Sequence, residues 1–195
     1  MEKKKIRAGA AAFLLFLSAG MARAQAPLEA GTPFELTTPS AILTEASTGQ
    51  VIFEKNADER RPVASVNKVM TILLTLEALD EGRVSVKDSV PVSPHAAGMG
   101  GSQAFLDAGQ SYPLGELLKA VIVASANDAA VALAEYQNGT EEGFVRRMNE
   151  RAGELGLHDT HYVNCTGLPA QNHYTTARDV AQLSAQLDKH PRYYE

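Results

Sequence analysis

The stretch RPVASVNKVMT, residues 61–71, places Ser65 and Lys68 three positions apart where a strand-like region gives way to an apolar helical pattern. Residues three apart lie on the same face of a helix, so the Lys68 amine can reach the Ser65 hydroxyl. A serine becomes a nucleophile when a neighbouring base removes its proton. The alternative is a serine that caps a helix, followed by a solvated lysine. The spacing alone leaves both interpretations open.

The surroundings of Lys68 favour the nucleophile-and-base interpretation. Val66, Val69 and Met70 are apolar, so the lysine does not belong to a charged face. Bringing a lysine from a pKa of about 10.4 to neutrality needs a change of about three units, or roughly 4 kcal/mol, which burial and nearby dipoles can supply. A helix start also gives Ser65 free backbone N–H groups and the positive end of the helix dipole.

A second polar element, Ser125-Ala126-Asn127, interrupts two apolar helical segments. Enzymes that react with penicillin combine Ser-x-x-Lys with a Ser-x-Asn element and a Lys-Thr-Gly strand. In such a site the Ser125 hydroxyl can relay a proton between Lys68 and a leaving amine, and the Asn127 amide can bind a substrate carbonyl. The structural alternative is a turn between helices with Asn127 capping the second, and it is compatible with the catalytic one.

The hydrophobic pattern predicts one hairpin followed mainly by helices. Alternating segments at 40–45 and 51–55 flank a glycine-containing turn. Apolar residues at helical spacing then predict helices over 65–79, 112–123, 128–136, from Thr140 and from Thr176, with loop between 92 and 103. The fold class is therefore α+β, with too few strands to cover the helices.

The chain divides into three predicted regions: a signal peptide (1–24), an extended lead-in (25–39) and one domain (40–195). Residues 1–24 combine a basic start, a short apolar run and the small-residue site Ala22-Arg23-Ala24, with cleavage expected after Ala24. An uncleaved anchor is the alternative. We expect an exported bacterial protein, periplasmic or on the outer face of the cytoplasmic membrane, that meets the membrane only through this signal.

Charge and cysteine content exclude several classes. Without residues 1–24 the chain loses five basic residues and one acidic residue, so the formal net charge changes from -5 to -9. No basic stripe remains to bind a phosphate backbone, so nucleic acid is not an expected partner. The single cysteine, Cys165, precludes an internal disulfide and suits a bacterial exported protein. No cofactor is expected.

From about Pro39 to His190 the chain resembles the low-molecular-weight penicillin-binding proteins, which are serine D-alanyl-D-alanine carboxypeptidases of peptidoglycan. The resemblance rests on five segments in order: ILTEASTGQVIFEKNADERRPVASVNKVMT (42–71), GGSQAFLDAGQ (100–110), LLKAVIVASANDAAVALAE (117–135), FVRRMNERAGELGLHDTHYVNCTGLP (144–169) and HYTTARDVAQLS (173–184).

The resemblance implies a β-lactamase/penicillin-binding-protein-like transpeptidase fold and an acyl-enzyme mechanism. Ser65 would be the nucleophile, Lys68 its base, and Ser125 and Asn127 the second catalytic element, with Asn127 also binding substrate. Expected partners are stem peptides ending in D-Ala-D-Ala and β-lactam antibiotics as acylating inhibitors. The family's Lys-Thr-Gly element is missing, since none of the eight lysines precedes Thr-Gly or Ser-Gly. We therefore expect an incomplete domain, a hairpin plus the helical half with later strands absent, and little or no turnover by these 195 residues alone.

The sequence offers four other interpretations. Cys165 could be a thiol nucleophile with His161 or His173, although its segment resembles a structural loop of the family. His158 and His161 have the spacing of metal ligands, but no set of carboxylate, His and Cys completes a site. A class A β-lactamase would need a carboxylate for deacylation, and no Glu-x-x-Leu-Asn run follows Asn127. A non-catalytic fragment that binds peptidoglycan or a partner is the remaining alternative.

Overall fold

The computed structural model describes residues 36–194, and the predicted signal peptide (1–24) and most of the lead-in lie outside these described residues. Its strands are β1 (Ala41–Thr44), β2 (Val51–Lys55), β3 (Arg61–Pro62), β4 (Ser89–Pro91), β5 (Ser111–Pro113) and β6 (Tyr174–Thr175). They form three antiparallel pairs, β1–β2, β3–β6 and β4–β5. The helices are α1 (Lys68–Asp80), α2 (Pro94–Ala97), α3 (Leu114–Ala124), α4 (Asn127–Asn138), α5 (Glu141–Glu154) and α6 (Ala177–Leu187).

The predicted hairpin and most of the predicted helices are confirmed. β1 pairs with β2 across a turn in which the Glu45 carboxylate accepts hydrogen bonds from Ser47 and Thr48. Thr140 caps α5 by accepting from the Gly143 N–H, and Thr176 caps α6 by accepting from the Asp179 N–H. These side chains replace the missing intrahelical partners of the first helical turn.

Helix α1 is the centre of the core and packs against α3, α4, α5 and α6. The apolar stripe predicted for it is too narrow, because ten of its thirteen residues are buried. Its two buried threonines both have hydrogen-bond partners: Thr75 donates its hydroxyl proton to the Thr71 carbonyl oxygen one turn earlier at 2.8 Å, and Thr71 donates to the distant Cys165 carbonyl oxygen at 2.8 Å. A helix buried on all sides is held in place by its neighbours in every direction, which gives rigidity to the residues at its start.

Three predicted boundaries differ from the structure. Residues 112–113, predicted as the start of a helix, belong to β5, and α3 begins at Leu114. Residues 65–67 form a turn of 3₁₀-helix, and the α-helix itself begins at Lys68. The region predicted as loop, 92–103, contains α2, which Ser93 caps by accepting from the Ala96 N–H with Pro94 in the first turn. Ser-Pro is a signal for the start of a helix. A helix of only four residues is too short to show the periodic apolar pattern that would support this signal, so the sequence alone did not predict α2.

A second short 3₁₀-helix, Pro191–Tyr194, follows α6. None of the helices between residues 36 and 194 has the length and apolar character needed to cross a bilayer.

Candidate active site

Ser65 and Lys68 lie together at the start of the central helix. Ser65 opens the 3₁₀ turn and is exposed, whereas Lys68, the first residue of α1, is only 2% exposed. The Lys68 Nζ atom lies 3.5 Å from the Ser65 Oγ atom, which confirms the predicted proximity. Ser65 does not cap α1 through its side chain, and Lys68 is buried. The alternative of a helix-capping serine followed by a solvated lysine is therefore wrong.

The environment of the Lys68 amine disfavours its charged form. Burial lowers the pKa of Lys68, and a weaker interaction with Cys165 acts in the opposite direction. The amine donates a hydrogen bond to the Thr166 carbonyl oxygen at 2.8 Å. Neither hydrogen-bond partner of this amine in the described part of the chain is a carboxylate. A buried lysine without a counter-ion is the kind of lysine that can act as a general base.

One loop, residues 164–168, closes over the start of α1. Three side chains of the helix start donate hydrogen bonds to its carbonyl oxygens: Asn67 to residue 164 at 3.1 Å, Lys68 to residue 166 at 2.8 Å and Thr71 to residue 165 at 2.8 Å. We call residues 164–168 the lysine-covering loop. It lies about one hundred positions away along the chain, so its contacts fix tertiary structure around the Ser65–Lys68 pair.

Ser125 occupies the sharp junction between α3 and α4. Its backbone is in the left-handed region, with φ 55° and ψ 34°, a conformation that non-glycine residues adopt at a cost. Its hydroxyl oxygen is buried and has no hydrogen-bond partner among the described residues. Strained backbone and an unpaired hydroxyl together are typical of a functional position. The predicted convergence of Ser125 on the Ser65–Lys68 pair stays a prediction.

Asn127 is the first residue of α4 and holds the preceding loop. Its side-chain amide donates to the Gly100 carbonyl oxygen at 2.6 Å, and its backbone N–H donates to the Ser102 carbonyl oxygen at 2.7 Å. The interpretation that Asn127 caps α4 is wrong, because Ala126 occupies the cap position and no side-chain cap bond forms. The substrate-binding role of Asn127 stays a prediction.

Asp128 is a site-forming residue that the sequence reasoning missed. Its carboxylate is 1% exposed and accepts hydrogen bonds from the backbone N–H groups of Ala104 and Leu106. Between them lies Phe105, with φ 57° and a side chain that is 82% exposed. Asn127 and Asp128 together therefore bond to the loop between residues 100 and 106, and Asp128 holds the part at 104–106. The available signal is an acidic residue in the first turn of an alanine-rich, apolar helix.

The sequence suggests His173 only as a partner for Cys165, whereas in the structure its ring bonds to Asn67. The Asn67 amide nitrogen donates to the Asn164 carbonyl, so its oxygen faces His173 and accepts from Nε2–H at 2.8 Å. The other ring nitrogen is buried without a partner among the described residues. Burial lowers the pKa of His173, which favours the neutral ring, and the hydrogen bond to the Asn67 oxygen places the proton on Nε2.

The thiol-nucleophile and metal interpretations do not fit the geometry. Cys165 is fully buried, and burial raises its pKa well above the ordinary value, which leaves the unreactive thiol form. His161 bonds through Nδ1 to the Asn172 carbonyl oxygen at 2.7 Å. Within residues 36–194 no three His, Cys, Asp or Glu side chains meet as a metal site would require.

Solved structures with a similar fold define the class of protein. The D-alanyl-D-alanine carboxypeptidase DacD from Francisella tularensis matches with a TM-score of 0.80 and 37% identity, covering 83% of this chain and 39% of that chain. Penicillin binding protein 5 from Haemophilus influenzae matches with a TM-score of 0.80 and 32% identity, covering 84% of this chain and 48% of that chain. The fold is thus the penicillin-binding-protein transpeptidase fold, of which the described residues form a part, as predicted.

Sequence comparison narrows the class to a family. A family model described as D-alanyl-D-alanine carboxypeptidase matches residues 23–195. The D-alanyl-D-alanine carboxypeptidase DacF of Bacillus subtilis is 48% identical over 151 residues, 77% of this chain and 39% of the relative. The chain belongs to the D-alanyl-D-alanine carboxypeptidase family of low-molecular-weight penicillin-binding proteins. It spans about 40% of the length of this relative.

Proposed function

We propose that this chain carries the nucleophile-and-base half of a serine-type D-alanyl-D-alanine carboxypeptidase, with Ser65 forming the acyl-enzyme. The observation that carries the proposal is the 3.5 Å approach of a buried lysine amine to the hydroxyl of an exposed serine at a helix start. Membership of the carboxypeptidase family supplies the substrate class, a peptidoglycan stem peptide that ends in D-Ala-D-Ala.

In the acylation step, neutral Lys68 takes the Ser65 hydroxyl proton while the serine oxygen attacks the carbonyl carbon of the penultimate D-alanine. The tetrahedral intermediate collapses, the C–N bond breaks, and the terminal D-alanine leaves as an amine. The proton passes back from Lys68 to that amine, with the Ser125 hydroxyl as the relay. Its buried oxygen has no competing partner among the described residues, so it is free for that role.

In the deacylation step, water attacks the ester carbonyl and gives up a proton as the Ser65 oxygen leaves and regains one. The Ser65 backbone N–H can supply one donor to the developing oxyanion, and the resemblance assigns the second to a strand that carries Lys-Thr-Gly. None of the 195 residues forms that motif. We therefore propose that these residues alone react slowly with an activated acyl donor and do not turn over peptide.

The same chemistry makes β-lactams the natural probe. Attack of Ser65 on a β-lactam carbonyl opens the ring, and the product stays attached to the serine as an ester. Membership of a penicillin-binding family supports the use of β-lactams as covalent probes of Ser65. We further propose an exported protein that works on the cell wall, which is consistent with the bacterial carboxypeptidase relatives.

Labelling with a fluorescent penicillin tests the proposal. The chain should acquire a covalent, stoichiometric label over hours at millimolar reagent, and Ser65→Ala should abolish it. Ser184→Ala is the matched control, because its exposed hydroxyl only donates to the Val180 carbonyl on α6, and it should label like the parent. Labelling that persists in the Ser65→Ala variant would overturn the proposed nucleophile.

The second candidate is a non-catalytic segment that binds peptidoglycan. The observation in its favour is the absence of a Lys-Thr-Gly motif among these residues. A folded chain that binds purified peptidoglycan but never acquires the penicillin label would favour this candidate over the first.

A further inference from the structure

Asn164 organises the lysine-covering loop through a single side chain. Its Oδ1 atom accepts from the Thr166 N–H at 3.2 Å, from the Thr166 hydroxyl at 3.1 Å and from the Gly167 N–H at 2.7 Å. Its Nδ2 atom donates to the Leu168 carbonyl oxygen at 2.9 Å. Four polar groups over three consecutive residues therefore bond to this one amide. Its removal would take these four bonds away, although the Thr166 hydroxyl would still accept from the Leu168 N–H.

The loop that Asn164 organises is the one that buries the Lys68 amine. Thr166 is 1% exposed, and its carbonyl is the acceptor 2.8 Å from Lys68 Nζ. The backbone carbonyl of Asn164 also accepts from the side chain of Asn67, the neighbour of Lys68. The side chain of Asn164 thus organises the residues that cover Lys68, and its backbone carbonyl bonds the residue next to Lys68.

We propose that Asn164 is a positioning residue for Lys68, which holds residues 166–168 over the amine so that it stays dehydrated and directed at Ser65. The proposal rests on the proposed function of Lys68 as the base of Ser65. Asn164 acts only through the loop and does not touch the reacting atoms.

Loosening of this loop should admit water to the Lys68 ammonium. Burial is the main cause of the lowered pKa of Lys68, so hydration should raise that pKa toward 10.5. The nearby titratable groups do not offset this. Cys165 stays a neutral thiol because burial raises its pKa, His173 stays neutral because burial lowers its pKa, and Glu141 is engaged by the Cys165 N–H.

NMR titration of the Lys68 side chain, followed through its Cε and Hε signals, tests the proposal without requiring activity. In Asn164→Ala the pKa of Lys68 should rise by about one unit or more, which corresponds to about a tenfold loss of neutral amine at pH 7. Asn149→Ala is the matched control. The Asn149 side chain bonds to both the N–H and the carbonyl of Tyr162 at 2.9 Å. It therefore holds the backbone just before the lysine-covering loop by the same kind of bonds, but it does not bond to the residues that cover Lys68.

A second variant covers the case in which Asn164→Ala does not fold. Asn164→Gln adds no charge but moves the amide by one methylene, so the four bonds cannot all form and the pKa of Lys68 should rise as in Asn164→Ala. An unchanged Lys68 titration in the folded Asn164 variants, or an equal rise in Asn149→Ala, would overturn the proposal.

Acylation kinetics separate this inference from the proposed function. The Asn164 variants should label about tenfold more slowly than the parent at pH 7 and recover part of that loss at higher pH, whereas a merely structural defect would slow labelling equally at every pH. A parent chain that never labels at Ser65 would refute the proposed function, and the NMR titration would still decide the role of Asn164.

Discussion

Gly167 lies directly against the main-chain carbonyl of Ala64, the residue before Ser65. A Cβ atom added to Gly167 would stand 2.1 Å from the Ala64 oxygen, and the glycine φ of +87° is a conformation that side chains disfavour. The lysine-covering loop therefore contacts Lys68 and also the backbone that leads into Ser65.

Gly167→Ala should destabilise the protein and slow acylation together. The strained φ and the collision with a backbone oxygen should cost roughly 2–5 kcal/mol, because neither group can move aside without shifting the chain. Urea unfolding and penicillin labelling measure the two effects.

The matched control for that substitution is Gly82→Ala. Gly82 also has a positive φ, +69°, but a Cβ there would meet nothing within 4 Å. Its cost should be about 1 kcal/mol, with labelling unchanged. Equal losses of stability in the two variants would contradict the close-approach argument.

Ser125→Ala should separate stability from reactivity. Its hydroxyl is buried and unpaired among the described residues, so its removal should leave stability unchanged or raise it by about 1 kcal/mol. The loss of the proton relay should slow penicillin labelling of Ser65. A strongly destabilised variant, or one that labels at the parent rate, would count against the relay.

The lowered pKa of Lys68 gives stability a pH dependence with a defined sign. Between the folded-state pKa and the ordinary value of 10.5, the unfolded chain binds the proton and the folded chain does not, so folding becomes more favourable as pH rises. Below the folded-state pKa both states are charged and the contribution is constant.

Lys68→Met removes this dependence, so the parent should gain stability relative to the variant as pH rises through that window. Urea unfolding at pH 6 and pH 10 measures the change, with the variant of the exposed lysine, Lys119→Met, as control. A difference between parent and Lys68→Met that is the same at both pH values would show that the Lys68 pKa is not lowered.

A polypeptide of these 195 residues should release no measurable D-alanine from a diacetyl-Lys-D-Ala-D-Ala substrate. Loss of one oxyanion donor typically lowers the rate by about 10²–10³, and without a Lys-Thr-Gly motif the binding and orientation of the terminal carboxylate are lost as well. Amino-acid analysis of the reaction supernatant measures the release. Sustained turnover would contradict the need for that motif.

The local features of the fold could be predicted because each has a short-range cause. Thr140 and Thr176 cap their helices by bonding to N–H groups three residues on, which a sequence pattern records directly. The proximity of Lys68 to Ser65 follows in the same way from one turn of helix.

The cover over Lys68 could not be predicted, because it depends on contacts that join distant parts of the chain. The bond from Lys68 to Thr166 spans 98 positions, and that from His173 to Asn67 spans 106. No periodicity or spacing connects such residues. In the sequence, Asn164 is only one residue of a segment that resembles a structural loop of the family. Its proposed positioning role depends on the four hydrogen bonds that it makes in the folded chain.

Peptide mapping of the penicillin adduct tests the central claim most directly. The parent chain is treated with penicillin, digested, and the modified residue located by tandem mass spectrometry. We expect one adduct, on Ser65, whose formation slows as pH falls through the lowered pKa of Lys68. An adduct on another residue, or an adduct on Ser65 that forms at the same rate in Lys68→Met, would contradict the assignment of Ser65 as nucleophile and Lys68 as its base.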